Sequence, residues 1–358
     1  MKVMAKVIPW IGIGLFLVVA HHTALHKPLW GDETFGIQHT VEGATPLSLI
    51  INGASGQGSP APFYYLLLKM ISSVQPLLEK LSIPPEVYWR WPSMLAVASI
   101  PFLLLRLSPI PYSAFIAVGG GFLILFSRLP FEYALEARPY ALWFAESVLL
   151  IYGSLSQYRH WIWIPIMAFL AATATAAIFQ LGIVLLALIL SRFLLDQPIR
   201  FSRNTWLALS TGMTVALYYG MQAPGMMSYT DPAWGTWPEY FRIARSYAFP
   251  ILASAALCYW NWKDRHPNGL CIALISLGWF LMSPLIFYIT RQHGFFFSER
   301  QYIYWAAGIL WISMEYARLL NSPAFKASLA RRASALLLLA LCMIRLDIHK
   351  IIGRLLLK

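Results

Sequence analysis

Long apolar stretches separated by short polar segments recur along the whole chain. A helix needs about 20 predominantly apolar residues to cross a membrane, and lipid leaves the helix to satisfy its own backbone groups. Stretches that meet this requirement, alone or with flanking aromatic residues, cover residues 7–25, 91–107, 112–128, 139–157, 161–177, 178–195, 205–221, 247–262, 270–290 and 302–318. The pattern therefore predicts an all-α fold, a polytopic transmembrane helical bundle of about 10–11 spans.

Two further apolar stretches leave the number of spans open. Residues 63–78 are interrupted by Lys69, Gln75 and Pro76, which is typical of a helix lying along the membrane surface. Residues 333–344 are short for a span and precede a basic tail. A surface helix is the favoured interpretation of this second stretch, and a last span is the alternative.

The distribution of basic residues decides the orientation. If residues 63–78 lie along the surface, the side of the N-terminus receives 13 Lys and Arg residues and the opposite loops receive ten. If residues 63–78 are instead a span, ten Lys and Arg residues lie on the N-terminal side and 12 on the opposite side. That distribution violates the rule that cytoplasmic loops carry an excess of Lys and Arg. We therefore expect a cytoplasmic N-terminus and a first outer loop, residues 26–90, that contains a juxtamembrane helix.

Composition supports a membrane protein and excludes other classes. Of 358 residues, 59% are apolar and 12% are charged, and the mean hydropathy is +0.61. These values exclude a water-soluble enzyme and a disordered chain. The net charge of +12 would suit a nucleic-acid binder, but in a membrane protein a basic excess marks cytoplasmic loops, so we expect no nucleic acid partner. We predict one membrane domain over residues 1–358, with 319–358 as a cytoplasmic or interfacial tail or a last span.

The N-terminus permits a cleaved signal peptide, because Lys2 and Lys6 precede the apolar run 7–20. The residues that follow the run offer a poor cleavage site, so we expect an uncleaved first span. The three cysteines lie within or beside apolar runs and form neither a disulfide framework nor a metal-binding motif.

Two polar motifs lie just outside predicted spans and face the same compartment in the favoured orientation. They are Trp30-Gly31-Asp32-Glu33 and Glu136-Ala137-Arg138-Pro139-Tyr140. A carboxylate near an apolar boundary can have its pKa raised toward the working pH, which suits a general base. An arginine offers paired planar donors to a phosphate. The alternative for each motif is a set of solvated or interface-anchoring side chains.

Four motifs in order carry a family resemblance. They are Trp30-Gly31-Asp32-Glu33, the stretch from Ser59 to Lys69, Tyr88-Trp89-Arg90-Trp91-Pro92-Ser93, and the stretch from Glu136 to Leu142. Together they resemble the GT-C class of membrane glycosyltransferases, and within it the bacterial relatives of protein O-mannosyltransferases and aminoarabinose transferases. The likeness covers the candidate catalytic region, residues 30–142, with a faint later echo in Glu299-Arg300-Gln301-Tyr302.

The resemblance implies that a sugar passes from a polyprenyl-phosphate carrier to a protein, lipid or glycan acceptor, with inversion at the anomeric carbon. The reaction would take place on the outer face of a bacterial cytoplasmic membrane. The implied catalytic residues are Asp32 as general base, Glu33 as its neighbour and Glu136 as a second acid. The candidates for substrate or phosphate contacts are Arg90, Arg138, Tyr140, Arg300 and Tyr302, with Arg291 as a further outer-loop arginine. Arginines can hold a single lipid phosphate, so we expect no cofactor, and a divalent metal is the alternative.

Several features leave alternatives open. Many relatives carry His or Lys near the position where this chain has Ser59-Pro60-Ala61-Pro62. Trp237 and Tyr240 either face a sugar or anchor the membrane interface. A transporter or flippase of a lipid-linked precursor is the alternative function, but only Glu146 lies clearly inside a predicted span and no internal duplication is visible. A non-catalytic assembly subunit is disfavoured by the outer acid and arginine motifs.

Overall fold

The computed structural model describes residues 2–54, 61–107, 119, 127–226, 236–292, 302–326 and 328–344. Within these ranges all regular structure is helical and no strand is present, which confirms the all-α prediction. The helices are α1 (Lys2–Leu25), α2 (Gly31–Phe35), α3 (Pro46–Asn52), α4 (Phe63–Lys80), α5 (Pro85–Tyr88), α6 (Trp91–Ala98), α7 (Ile100–Leu107), α8 (Arg128–Ala134), α9 (Tyr140–Leu155), α10 (Trp163–Thr173), α11 (Ala177–Phe193), α12 (Arg203–Met226), α13 (Trp237–Ala244), α14 (Ala248–Lys263), α15 (Pro267–Leu281), α16 (Ser283–Gln292), α17 (Ile303–Asn321), α18 (Pro323–Lys326) and α19 (Leu329–Ile344). A π-helical segment, Gly36–Glu42, follows α2, and a 3₁₀ turn, Arg245–Tyr247, follows α13.

Helices occupy the predicted spans in the described part of the chain, whereas the span predicted at 112–128 lies almost wholly outside it. One helical stretch, Pro267–Ile289, is long and apolar enough to cross a membrane, with 23 residues and a mean hydropathy of 2.2. The shorter apolar helices are Pro9–Leu25, Trp91–Leu105, Tyr140–Leu155, Trp163–Thr173 and Ala177–Phe193. By length and composition this stretch is a candidate membrane span, and the polytopic bundle is a proposal.

The core is a continuous aromatic and aliphatic cluster around α9, α11, α15 and α17, which pack against one another. Trp279, Trp305 and Trp311 in this cluster are fully buried and still use their indole N–H groups. Trp305 donates to the carbonyl of Trp279 at 3.1 Å, and Trp311 donates to that of Val148 at 3.2 Å. A buried indole needs such a partner, so these bonds fix how the helices are rotated against each other.

Polar side chains also join helices inside the bundle. Glu146 of α9 accepts a hydrogen bond from the Thr173 hydroxyl at the end of α10, at 3.0 Å. Trp143 donates to Gln180 of α11 at 2.6 Å. Each bond pairs a polar group that would otherwise be buried without a hydrogen-bond partner. Specific polar contacts therefore join α9 to α10 and to α11.

The stretch predicted at 63–78 forms α4, which has two different faces. Tyr64, Tyr65, Leu68 and Leu78 are buried, whereas Met70, Val74, Leu77 and Leu81 form an exposed apolar stripe at helical spacing. The Lys69 ammonium donates to the carbonyl of Val41 at 2.7 Å, and this hydrogen bond links α4 to the π-helical segment. An apolar stripe backed by an anchored face is what a helix on a membrane surface requires.

The stretch predicted at 333–344 begins earlier, at Leu329, and forms α19. It packs against both α14 and α17. Arg331 lies 3.9 Å from Asp264 in the turn after α14, and Ala335 and Cys342 are fully buried. The helix therefore packs against the bundle on one face, whereas Leu336 and Leu337 are exposed. The surface helix and the last span both stay predictions.

Candidate functional site

The motif around Asp32 lies in the segment that follows α1, where α2 begins directly after Trp30. Successive residues of a helix point about 100° apart around its axis, so adjacent carboxylates on it face different surroundings. Glu33 is fully buried, and the backbone N–H of Trp30 donates to its Oε2 at 3.2 Å. The Asp32 side chain keeps 48% of its exposure. The two acids of the motif therefore occupy different environments.

Glu33 and Arg90 form a buried bidentate ion pair. Arg90 Nε donates to Glu33 Oε1 at 2.9 Å, and Nη2 donates to Oε2 at 2.7 Å. Both side chains are completely inaccessible to solvent. The remaining donors of Arg90 point to carbonyls at the end of α1 and beyond: Nη1 to Lys27 at 2.6 Å and Ala24 at 3.4 Å, and Nη2 to Pro28 at 3.0 Å.

This geometry differs from the roles expected for the two residues. An arginine has five N–H donors, and the groups around Arg90 accept all of them. Arg90 is therefore not placed to receive a phosphate, and Glu33 is not placed to take a proton from an acceptor. The physical reason is burial, since a charge without access to solvent is stable only when it is paired and fully hydrogen-bonded.

The pair also positions the second polar motif. The backbone N–H of Ala137 donates to Glu33 Oε1 at 2.6 Å, across more than 100 residues of chain. Ser93, on the first turn of α6, donates its hydroxyl to the carbonyl of Glu136 at 2.6 Å, and the Tyr64 hydroxyl lies 2.7 Å from Ser93 Oγ. All four motifs of the family resemblance thus meet at one point, and side chains of the other motifs hold the loop between α8 and α9 through hydrogen bonds to its backbone groups.

Asp32 and Arg138 are brought together by this arrangement. Arg138 Nη2 lies 3.9 Å from Asp32 Oδ2, and Nη1 donates to the Asp32 carbonyl at 3.5 Å. The arginine side chain is only 8% exposed, and the aspartate is 48% exposed. The result is an accessible carboxylate beside a fixed, permanently charged guanidinium.

Two tyrosines line the same place. The Arg138 guanidinium lies over the ring of Tyr140, 5.9 Å from its centroid. Tyr65 of α4 is buried, and its polar neighbours are Arg138, Tyr140 and Asp32. Burial raises the pKa of Tyr65 to about 12, so its hydroxyl keeps its proton at physiological pH. Sequence reasoning missed Tyr65, although it lies in the second motif, because two consecutive tyrosines give no sign of which one faces the acid.

Lys27 is a second residue that sequence reasoning missed. Its ammonium donates to the carbonyl of Leu135 at 3.1 Å and lies 3.9 Å from Glu136 Oε1. The site therefore contains two acid–cation pairs, Asp32 with Arg138 and Glu136 with Lys27. Glu136 and Arg138 both belong to the loop between α8 and α9.

The other predicted contacts lie elsewhere. Tyr302 is fully buried among aromatic rings. Its ring centroid lies 4.2 Å from that of Trp305 and 6.4 Å from that of Tyr247. Arg291 is exposed near the end of α16. Arg300 lies outside the described residues. Of the aromatic residues proposed to face a sugar, Trp237 and Tyr240 pack against Phe287 with centroids 4.7 and 4.8 Å away, so core packing accounts for both.

Comparisons with known proteins add no assignment to this geometry. No protein-family model matches the chain, and no curated protein matches it at a significant level. In the described ranges no group of three or more His, Cys, Asp or Glu side chains could hold a metal ion.

Proposed function

We propose that this chain is a membrane glycosyltransferase that moves a sugar from a polyprenyl-phosphate carrier to an acceptor on the outer face of the membrane. The observation that carries the proposal is the contact between Asp32 and Arg138, which come from segments 106 residues apart. An accessible carboxylate beside a fixed guanidinium supplies the two functions that displacement of a phosphate needs, a proton acceptor and a counter-charge for the leaving group.

The reaction follows from these roles. An acceptor hydroxyl or amine loses its proton to the Asp32 carboxylate as its oxygen or nitrogen forms a bond to the anomeric carbon. On the opposite side, the bond between that carbon and the phosphate oxygen breaks, and the oxygen keeps the electron pair. Arg138 stabilises the resulting charge on the polyprenyl phosphate. Attack opposite to the leaving group inverts the anomeric centre. Glu136 is a second acid, in the same loop as Arg138.

Membrane topology provides the first test, because the proposal requires both polar motifs on the outer side. In a protein without its native cysteines, single cysteines replacing Glu42 and Glu132 are expected to react with an impermeant thiol reagent added to intact cells. A cysteine replacing Asp196, an exposed residue in a loop expected on the cytoplasmic side, should react only after the membrane is opened. Labelling of only one of the first two positions would place the motifs on opposite sides and exclude a shared site.

A transfer assay tests the chemistry without knowledge of the sugar or the acceptor. Every reaction of this type releases polyprenyl phosphate, so its appearance from a mixture of polyprenyl-phosphate sugars can be measured with purified protein and cell-envelope acceptors. Arg138→Met is expected to slow release by about 10²–10³-fold, the loss seen when one stabilising donor is removed. Arg242→Met is the matched control, because Arg242 makes an exposed pair with Glu239 far from the motifs in sequence. Release that is absent with the wild-type protein, or equal in both variants, contradicts the proposal.

A further inference from the structure

The Lys27–Glu136 pair is held in place from both ends. Arg90 Nη1 donates to the backbone carbonyl of Lys27 at 2.6 Å, and Ser93 Oγ donates to the backbone carbonyl of Glu136 at 2.6 Å. Both anchors belong to the buried network that includes the Glu33–Arg90 pair. The backbone at both residues is therefore anchored to one buried network, which is the kind of support that a binding site needs.

The ammonium of Lys27 retains the capacity to bind an anion. It has three N–H donors, and the structure shows one of them bonded to Leu135 O at 3.1 Å. Its separation of 3.9 Å from Glu136 exceeds the length of a direct hydrogen bond. The Lys27 side chain is 36% exposed and that of Glu136 is 14% exposed, so solvent reaches the cation more easily than the acid.

We propose that Lys27 binds the phosphate of the lipid-linked ligand, and that Glu136 holds the ammonium in position until the ligand arrives. This inference rests on the proposed function for the identity of the ligand. Lys27 contacts the loop between α8 and α9 at Leu135 and Glu136, and Arg138 belongs to the same loop and contacts Asp32 on α2. Lys27 provides a point charge and Arg138 provides a planar group with paired donors. The two are not interchangeable in phosphate recognition.

Electrostatics around Lys27 agree with this role. Burial lowers the pKa of Lys27, and the positive charge of Arg90 acts in the same direction. The carboxylates of Glu136, Glu33 and Glu132 raise it. Of the three carboxylates, Glu136 raises the pKa of Lys27 most, so it favours the protonated ammonium that burial disfavours. Removing the charge of Glu136 should lower the pKa of Lys27 and increase the fraction of neutral, nucleophilic amine.

Amine reactivity tests the binding site separately from catalysis. The purified protein is treated with an amine-acylating reagent, and modification at Lys27 and at the exposed Lys80 is measured by peptide mass spectrometry. Farnesyl phosphate at about ten times its Kd should slow acylation of Lys27 about tenfold, because the free fraction falls by that factor. Lys80 should be unaffected, and farnesol, which lacks the phosphate, should protect neither. Equal modification of Lys27 with and without farnesyl phosphate would overturn the proposal.

Variants separate this inference from the proposed function. Glu136→Gln should increase acylation of Lys27 at neutral pH, and an unchanged rate would show that the pair is not coupled. In the release assay, Lys27→Met should raise KM for the donor more than it lowers kcat, and Lys27→Arg should restore part of the affinity. If transfer occurs and Lys27 is not protected, only the Lys27 site fails. If farnesyl phosphate protects Lys27 and no transfer is found, the phosphate site stands and the proposed function fails.

Discussion

Asp32→Asn is expected to lower the rate of polyprenyl phosphate release by about 10²–10⁴-fold, the usual contribution of a positioned general base. Asparagine has the same shape as aspartate but cannot accept the acceptor's proton. The Asp32 side chain is about half exposed and its ion pair with Arg138 is loose, at 3.9 Å. The carboxylate is partly solvated, and the Asp32 backbone carbonyl still accepts from the buried Arg138 in the variant. The change should therefore cost little stability, and the variant should be produced at normal levels and unfold at nearly the wild-type temperature.

Two further variants make this result specific. Asp32→Glu retains a carboxylate displaced by one methylene group, so its activity should fall between those of the wild type and Asp32→Asn. Asp196→Asn is the matched control, because Asp196 is exposed and makes a surface pair with Arg265. Release by Asp32→Asn at the rate of the Asp196→Asn control would remove Asp32 from the mechanism. The second acid, Glu136, would then be the first candidate base.

Much of the helical architecture was predictable from the sequence because it depends on local patterns. Apolar runs long enough for a helix lie where the described helices lie, and the interruption of residues 63–78 by polar groups matches a helix with one anchored and one exposed face. The sequence also predicted that the two motifs face the same compartment, since both lie at ends of apolar runs, but it did not predict the contact between Asp32 and Arg138. The start of α19 was missed because Arg331 and Arg332 make its first turn polar, and the prediction followed apolar residues only.

Which member of a motif does chemistry was not predictable from the sequence. Asp32 and Glu33 are adjacent, and their side chains are separated by the helical turn, but no local signal says which one faces the interior. That choice depends on Arg90 and on the Ala137 N–H, which lie 57 and 104 residues away from Glu33. Lys27 and Tyr65 were missed for the same reason. Their roles depend on contacts between segments, which periodicity and composition do not record.

The division of roles between Asp32 and Glu33 leads to the second large effect. Arg90→Met is expected to lower the free energy of unfolding by about 3–5 kcal/mol, because it leaves the Glu33 carboxylate buried without its partner. Loss of the guanidinium also removes the hydrogen bonds to the carbonyls of Lys27 and Pro28. The measurement is the unfolding transition of the purified protein in mixed micelles. Arg242→Met, in an exposed pair, should change it little.

A double-mutant cycle distinguishes a structural pair from a phosphate ligand. If Arg90 and Glu33 stabilise the fold through each other, the variant Glu33→Gln with Arg90→Met should lose clearly less stability than the sum of the single changes, since no unpaired charge remains buried. A phosphate ligand behaves differently. Arg90→Met would then raise KM for the donor at unchanged stability, and Glu33→Gln would not share its effect. The completely enclosed geometry of Arg90, with acceptors at every donor, supports the first outcome, because a phosphate could reach it only by displacing groups that hold three segments of the chain together.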